Sequence, residues 1–159
     1  MAVPMGDQAR HQVDNRFIVY DAPWANPHRL EALLAVAGFE GRVQVLQNEA
    51  QLAAQPACDV VIATHWTGAW LARSHPSAAE RAYLIQDFEP LAYAAGTSYS
   101  LAEQTYRLDL VGLFNSPGVQ QSVTRSHVLE GVCFEPAVDP VFLAPRPSGA
   151  RRSRLVCLV

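Results

Sequence analysis

Two carboxylates, Asp87 and Glu89, stand two residues apart in "YLIQDFEPLAYAAGTSYSLAEQTYRL", the stretch from Tyr83 to Leu108. The apolar run before them reads as a buried strand, and the residues after Gly96 read as a helix. A carboxylate in a cleft at a strand end can orient a hydroxyl or take its proton. The same acids can also simply cap a turn. Other residues invite paired readings. His65, Trp66 and Thr67 follow the run "CDVVIAT": an imidazole can move a proton and an indole offers a stacking face, yet His65 can equally cap a helix or sit at the core's edge. Asn115 and Ser116 follow "LVGLF". Ser116 reads first as a helix cap, although the amides there and at Gly118 could hold an anion. Tyr99, Glu103 and Tyr106 recur at helical spacing, as a face toward the site or as core lining.

These residues need elements to position them. "RFIVYDA" from Arg16 has strand character. In "NPHRLEALLAVAGF", Asn26 can cap, Pro27 suits the first helical position and Gly38 the stop, with Leu30, Leu33, Leu34 and Ala37 on one face. "RVQVLQ" alternates as a strand does, and "NEAQLAAQ" is a short helix. "CDVVIATH" is continuously apolar, as buried parallel strands are. "WTGAWLARS" is a helix, and "RAYLIQD" is the next strand. A helix then begins between Thr97 and Ser100, with Ser100 and Glu103 at capping-box spacing and Leu101, Thr105 and Leu108 inward. "LVGLFN", the helix "SPGVQQSVTRS" and a short strand in "HVLEGVCFEP" follow, and "RLVCLV" from Arg154 is one more strand. The alternation predicts an α/β fold: a Rossmann-like parallel sheet with helices on both faces. Ligands of such sheets bind beyond the carboxyl ends of the strands. There Asp21, Pro23, Trp24, His65, Asp87, Phe88, Asn115, Glu135, Val138 and Asp139 form a polar and aromatic rim.

The 159 residues suit about one domain, and 50% hydrophobic against 17% charged residues exclude a disordered chain. A net charge of -3 gives no sign of a nucleic-acid partner. Arg146, Arg151, Arg152 and Arg154 are interleaved with prolines and a glycine and read as a solvated linker. Cys58, Cys133 and Cys157 are far apart, lack metal-ligand spacing and sit among apolar residues, so they read as buried thiols of a reducing compartment. No apolar signal core opens the sequence and no run is long enough to cross a bilayer, which together indicate a cytoplasmic protein, with peripheral membrane contact still open. No GxGxxG, GxxxxGK[ST] or GxSxG motif is present, so no nucleotide-phosphate cradle is visible.

"DVVIATHWTGAW", "YLIQDFEPLAYAAGTSYSLAEQTYRL" and "FEPAVDPVFLAP" occur in an order and spacing that resemble certain bacterial GT-B glycosyltransferases, the rhamnosyltransferase-like branch of family 4. The middle motif carries most of the likeness, through Gln86, Asp87, Phe88, Glu89, Pro90, Gly96, Ser98, Tyr99, Ala102, Glu103, Thr105 and Tyr106. The resemblance implies two Rossmann-like domains around a cleft, the N-terminal one receiving the acceptor. It implies a reaction that moves a sugar, such as rhamnose from a nucleotide diphosphate, onto a glycan in surface-polysaccharide synthesis. On this likeness, residues 1–15 are a non-native or disordered lead, 16–145 the acceptor-side domain, and 146–159 a linker with the first strand of a missing donor domain. The family's usual first strand and glycine-rich loop have no counterpart before Arg16, so truncation at both ends is expected, and the chain alone is expected to be inactive. Asp87 and then Glu89 are the implied catalytic candidates. His65, Trp66, Thr67, Asn115 and Ser116 would bind acceptor, and Gly96, Ser98, Tyr99, Glu103 and Tyr106 would brace the loop. No bound cofactor or metal is implied, since the nucleotide sugar belongs to the donor half. The other reading is a non-catalytic Rossmann-like binding module, or a subunit pairing with a separate donor-domain chain.

Overall fold

The computed structural model describes residues 13–36, 38–39 and 41–136. The first strand, β1 (Arg16–Tyr20), leads into helix α1 (Pro27–Val36). Asn26 Oδ1 accepts the Arg29 N–H at 3.1 Å, and Gly38 at φ 82° ends the helix. Strand β2 (Arg42–Leu46) buries Val43 and Leu46. Gly41 just before it is required by space, because a Cβ there would lie 2.7 Å from both Asn15 O and the Phe17 ring. Asn48 caps α2 (Glu49–Ala53), accepting from Gln51 N–H at 3.0 Å. Then come β3 (Cys58–Ala63), α3 (Trp66–Ser74), β4 (Ala78–Ile85), a 3-10 turn at Glu89–Ala92, α4 (Thr97–Gln104), a second 3-10 turn at Thr105–Arg107, β5 (Val111–Phe114), α5 (Pro117–Thr124) and β6 (Gly131–Cys133).

Among the described residues all strand pairs are parallel, in two sheets: β1–β2, and β3–β4–β5–β6 in chain order. The α/β class and the parallel sheet are therefore as the sequence indicates. The core lies on one face of the larger sheet. Ala63, Tyr83, Ile85 and Phe114 point into it from the strands, and Ala69, Ala72, Tyr106 and Val123 close it from the helical side. Strands laid consecutively in one direction, joined by right-handed crossovers, put α3, α4 and α5 on that same face. The opposite face carries Val60, Ile62, Val111 and Val132, which are 42–58% exposed. Cover on both faces thus does not extend to this sheet within the described residues. Helix α1 packs on β2 of the β1–β2 pair.

Several local expectations change for related reasons. "CDVVIATH" is buried only on its Val61 and Ala63 side, because the face that carries Val60 and Ile62 has no cover among the described residues. No residue of α1 is buried, and Leu33 is 58% exposed, so the predicted apolar face has no full partner among the described residues. Helix α4 starts at Thr97 with no side-chain cap, so the Ser100–Glu103 box does not form. Its inner residues are Ala102 and, past its end, Thr105 and Tyr106, while Leu101 is exposed. Cys133 is exposed rather than buried, since β6 is an edge strand among the described residues. The crossing at 138–145, the arginines at 146, 151, 152 and 154, the run 154–159, Cys157 and the first twelve residues lie outside the described residues. No helix of the described residues is long and apolar enough to cross a membrane.

His75, buried at the C-terminal end of α3, accepts Ser77 N–H at 3.3 Å through Nδ1. Its carbonyl receives the Arg81 guanidinium at 2.7 Å. Burial first, then the charges of Arg81 and Arg16, hold its pKa below the usual imidazole value. A depressed folded pKa means that the unfolded chain takes the proton more readily. Stability is then fully present above the unfolded value, about 6.5, and declines as pH falls below it. The urea midpoint should therefore be lower at about pH 5 than at about pH 7.5, and His75→Gln should narrow the difference. Phe114→Ala, at a fully buried site, should destabilise the chain by about 3–5 kcal/mol in the same measurement.

Candidate functional site

The parallel register decides which residues meet. Ile85 lies opposite Phe114, so β4 and β5 end at one level, and β3, whose last residue Ala63 lies opposite Tyr83, ends two residues earlier, which brings His65 level with Ile85. His65, Asp87 and Asn115 leave the sheet one or two residues later. An open cavity of about 320 Å³ lies at this edge, lined by His65, Asp87, Phe88, Glu89, Leu91, Ala92 and Tyr93.

Glu89 is the most firmly held polar group of the cavity. Its Oε2 accepts the Trp66 N–H at 2.8 Å, and its side chain is only 14% exposed. The carboxylate therefore sits on the first turn of α3, where the helix dipole favours negative charge. Its own N–H donates to the Tyr106 hydroxyl at 3.2 Å. Tyr106 is fully buried between the Tyr83, Phe88 and His127 rings, with centroids 6.2, 5.6 and 5.3 Å away. His127 Nε2 is in turn 3.5 Å from Glu103 Oε1. Burial pushes the Tyr83 and Tyr106 hydroxyls well above the usual phenol range, and the Glu89 charge adds to it. Both stay protonated at neutral pH.

His65 caps α3, its Nδ1 accepting the Thr67 N–H at 3.4 Å and lying 2.9 Å from Thr67 Oγ1. That contact assigns the proton of the neutral ring to Nε2, which faces Tyr93 Oη at 3.5 Å and Glu89 Oε2 at 3.9 Å. Trp66 Nε1–H donates to Tyr93 Oη at 2.7 Å, with the two rings edge to face. Asp87 differs from Glu89: it is exposed, and among the described residues its Oδ1 accepts only the next residue's N–H, at 2.7 Å.

The structure thus brings His65, Asp87 and Glu89 to one cavity. Trp66 stands behind it, packed on the core and tied to Tyr93. Thr67 serves the His65 cap. Asn115 does not line the cavity; its Nδ2 donates to Gln86 O at 3.0 Å. Ser116 caps α5 by accepting Val119 N–H at 3.3 Å. Gly96, Ser98 and Tyr99 lie around the start of α4, outside the cavity lining. Tyr93, Leu91 and Ala92 line the cavity without having been singled out in the sequence. Tyr93 is the one aromatic between Glu89 and α4, but its approach to Trp66 depends on the 3-10 turn, which no apolar period announces. Among the described residues no group of three His, Cys, Asp or Glu side chains is placed to hold a metal ion.

No protein-family profile matches the chain. It is similar to a protein of Myxococcus xanthus named O-antigen biosynthesis protein RfbC, with 46% identity over 141 residues. The match takes in 87% of this chain but spans only 11% of that relative's length.

The Glu89 contacts give a stability test. Glu89→Ala leaves the Trp66 amide without its acceptor and should lower stability by about 1–3 kcal/mol, whereas Glu89→Gln keeps an oxygen there and should recover much of the loss. Denaturant titration followed by tryptophan fluorescence reads both.

Proposed function

We propose that this chain is the acceptor-side part of a sugar-transferring enzyme of surface-polysaccharide biosynthesis, of the GT-B type. The observation that carries the proposal is the cavity at the sheet's carboxyl edge, where two carboxylates, an imidazole and a phenol surround a space open to solvent. The name of the Myxococcus relative supports the polysaccharide context. The sequence motifs support the finer reading, transfer of rhamnose from a nucleotide diphosphate.

The two acids divide the work. Glu89 is committed to the Trp66 amide and fixes the start of α3 against the loop after β4. Asp87 keeps one carboxylate oxygen clear of its turn contact and is exposed to an incoming ligand. Asp87 therefore orients the acceptor hydroxyl and takes its proton as the oxygen attacks the anomeric carbon and the nucleoside diphosphate departs. His65 has its Nδ1 occupied by the cap and its Nε2–H turned toward Tyr93 and Glu89, so it serves as a donor to sugar oxygens rather than as the base. Tyr93 and Phe88 supply the apolar walls against which a sugar ring can lie.

Isothermal titration with rhamnose-containing oligosaccharides tests this reading, with a rhamnose-free glucan as the control. Rhamnosides should bind, and Asp87→Ala should weaken binding by about tenfold, the loss of one charge-assisted hydrogen bond. Asp87→Asn should retain most of the affinity, since the amide can still accept from the hydroxyl. Absence of heat with every glycan, or an Asp87→Ala chain that binds like the parent, would remove the acceptor site.

A further inference from the structure

Tyr93 is the cavity residue whose hydrogen-bond directions the geometry determines most fully. An indole N–H donates and cannot accept. Trp66 Nε1 lies 2.7 Å from Tyr93 Oη, so the phenol oxygen is the acceptor there. The same oxygen faces His65 Nε2 at 3.5 Å. His65 Nδ1 is occupied by the Thr67 N–H, so Nε2 carries the ring proton and turns a second donor toward Oη. Two N–H groups thus converge on one oxygen. The single O–H of Tyr93 points at neither of them, and among the described residues no acceptor is hydrogen-bonded to it. Tyr93 lines the cavity, so this O–H is a donor for whatever occupies that space. Donation into the oxygen polarises the O–H and strengthens it.

The phenol is also fixed before a ligand arrives. Tyr93 N–H closes the 3-10 turn on Pro90 O at 3.1 Å. Its ring stands edge to face on Trp66, with centroids 5.8 Å apart at 84°. Trp66 is held in turn by its own N–H on Glu89. One tryptophan therefore places an acceptor through its backbone and a donor through its side chain, and both face His65 Nε2. Such placement reduces the ordering that binding requires.

We propose that Tyr93 determines specificity at the acceptor site: its hydroxyl donates to a second hydroxyl oxygen of the sugar whose first hydroxyl meets Asp87. This rests on the acceptor reading above and adds a second point of recognition to it. The carboxylate oxygens of Asp87 and Glu89 accept, so they meet the protons of sugar hydroxyls and leave the lone pairs unmet. Tyr93 supplies the complementary donor. A sugar hydroxylated at both positions gains both bonds, and one that is deoxy at the second position loses one. Trp66 acts through Tyr93 and is a positioning residue.

NMR titration of the full 159-residue chain with methyl rhamnoside and its 2-, 3- and 4-deoxy analogues tests this, in the parent, Asp87→Ala and Tyr93→Phe. Tyr93→Phe should weaken methyl rhamnoside by about fivefold, the loss of one neutral hydrogen bond. That penalty should vanish for one deoxy analogue, and a different analogue should erase the penalty of Asp87→Ala. A ring that merely braced the loop would weaken every sugar alike. An even penalty across the panel, or none, overturns the assignment of Tyr93 while the Asp87→Ala result leaves the acceptor site standing. No binding of any rhamnoside by the parent removes both. If Tyr93→Phe fails to fold, Trp66→Phe decides in the same panel. With the indole gone the hydroxyl is free to turn away, so one analogue alone should escape the penalty, and an even penalty overturns the proposal.

Discussion

The parallel ladder through β3, β4 and β5 is the constraint on which the rest depends. Because Ala63, Tyr83, Ile85 and Phe114 are held in register, the three strands release their following residues at one edge. The alternation of a strand then separates duties. Tyr83, Ile85 and Phe114 face the core and are fully buried, while the residues just past the strand ends reach the cavity. A slip of one residue in β4 would exchange the faces of Tyr83 and Leu84 and remove both the core and the cavity wall.

The Glu89 contacts join that edge to the helices. One carboxylate anchors the first turn of α3, and the amide of the same residue rests on a phenol buried in the core. The loop after β4 is thereby tied at both its backbone and its side chain, and the Trp66–Tyr93 bond closes the far side. Such a loop holds its polar groups in one geometry before a ligand arrives, which reduces the ordering that binding requires. Asp87, two residues earlier, is left outside this knot. The pair thus combines a fixed acid with an accessible one.

The bare side of the larger sheet has the same origin as its core. Consecutive addition with one handedness concentrates α3, α4 and α5 on one face and leaves β-branched side chains on the other.

Composition and period alone determined the class of this protein. Asn26, Asn48 and Ser116 mark helix starts through a local hydrogen bond, and the apolar runs mark strands through burial, so both are written in neighbouring residues. The candidate pair Asp87 and Glu89 was visible for the same reason, as acids at the end of an apolar run. What the sequence left open were relations between distant segments. Whether Cys58 to Ala63 forms a central or an edge strand depends on partners that the run itself does not name. That Tyr106 lies under Glu89, that Tyr93 meets Trp66, and that Asn115 turns back to Gln86 are contacts across 17, 27 and 29 residues. Only the packed fold decides them, because pairing at such separations is fixed by register and side-chain shape rather than by local propensity.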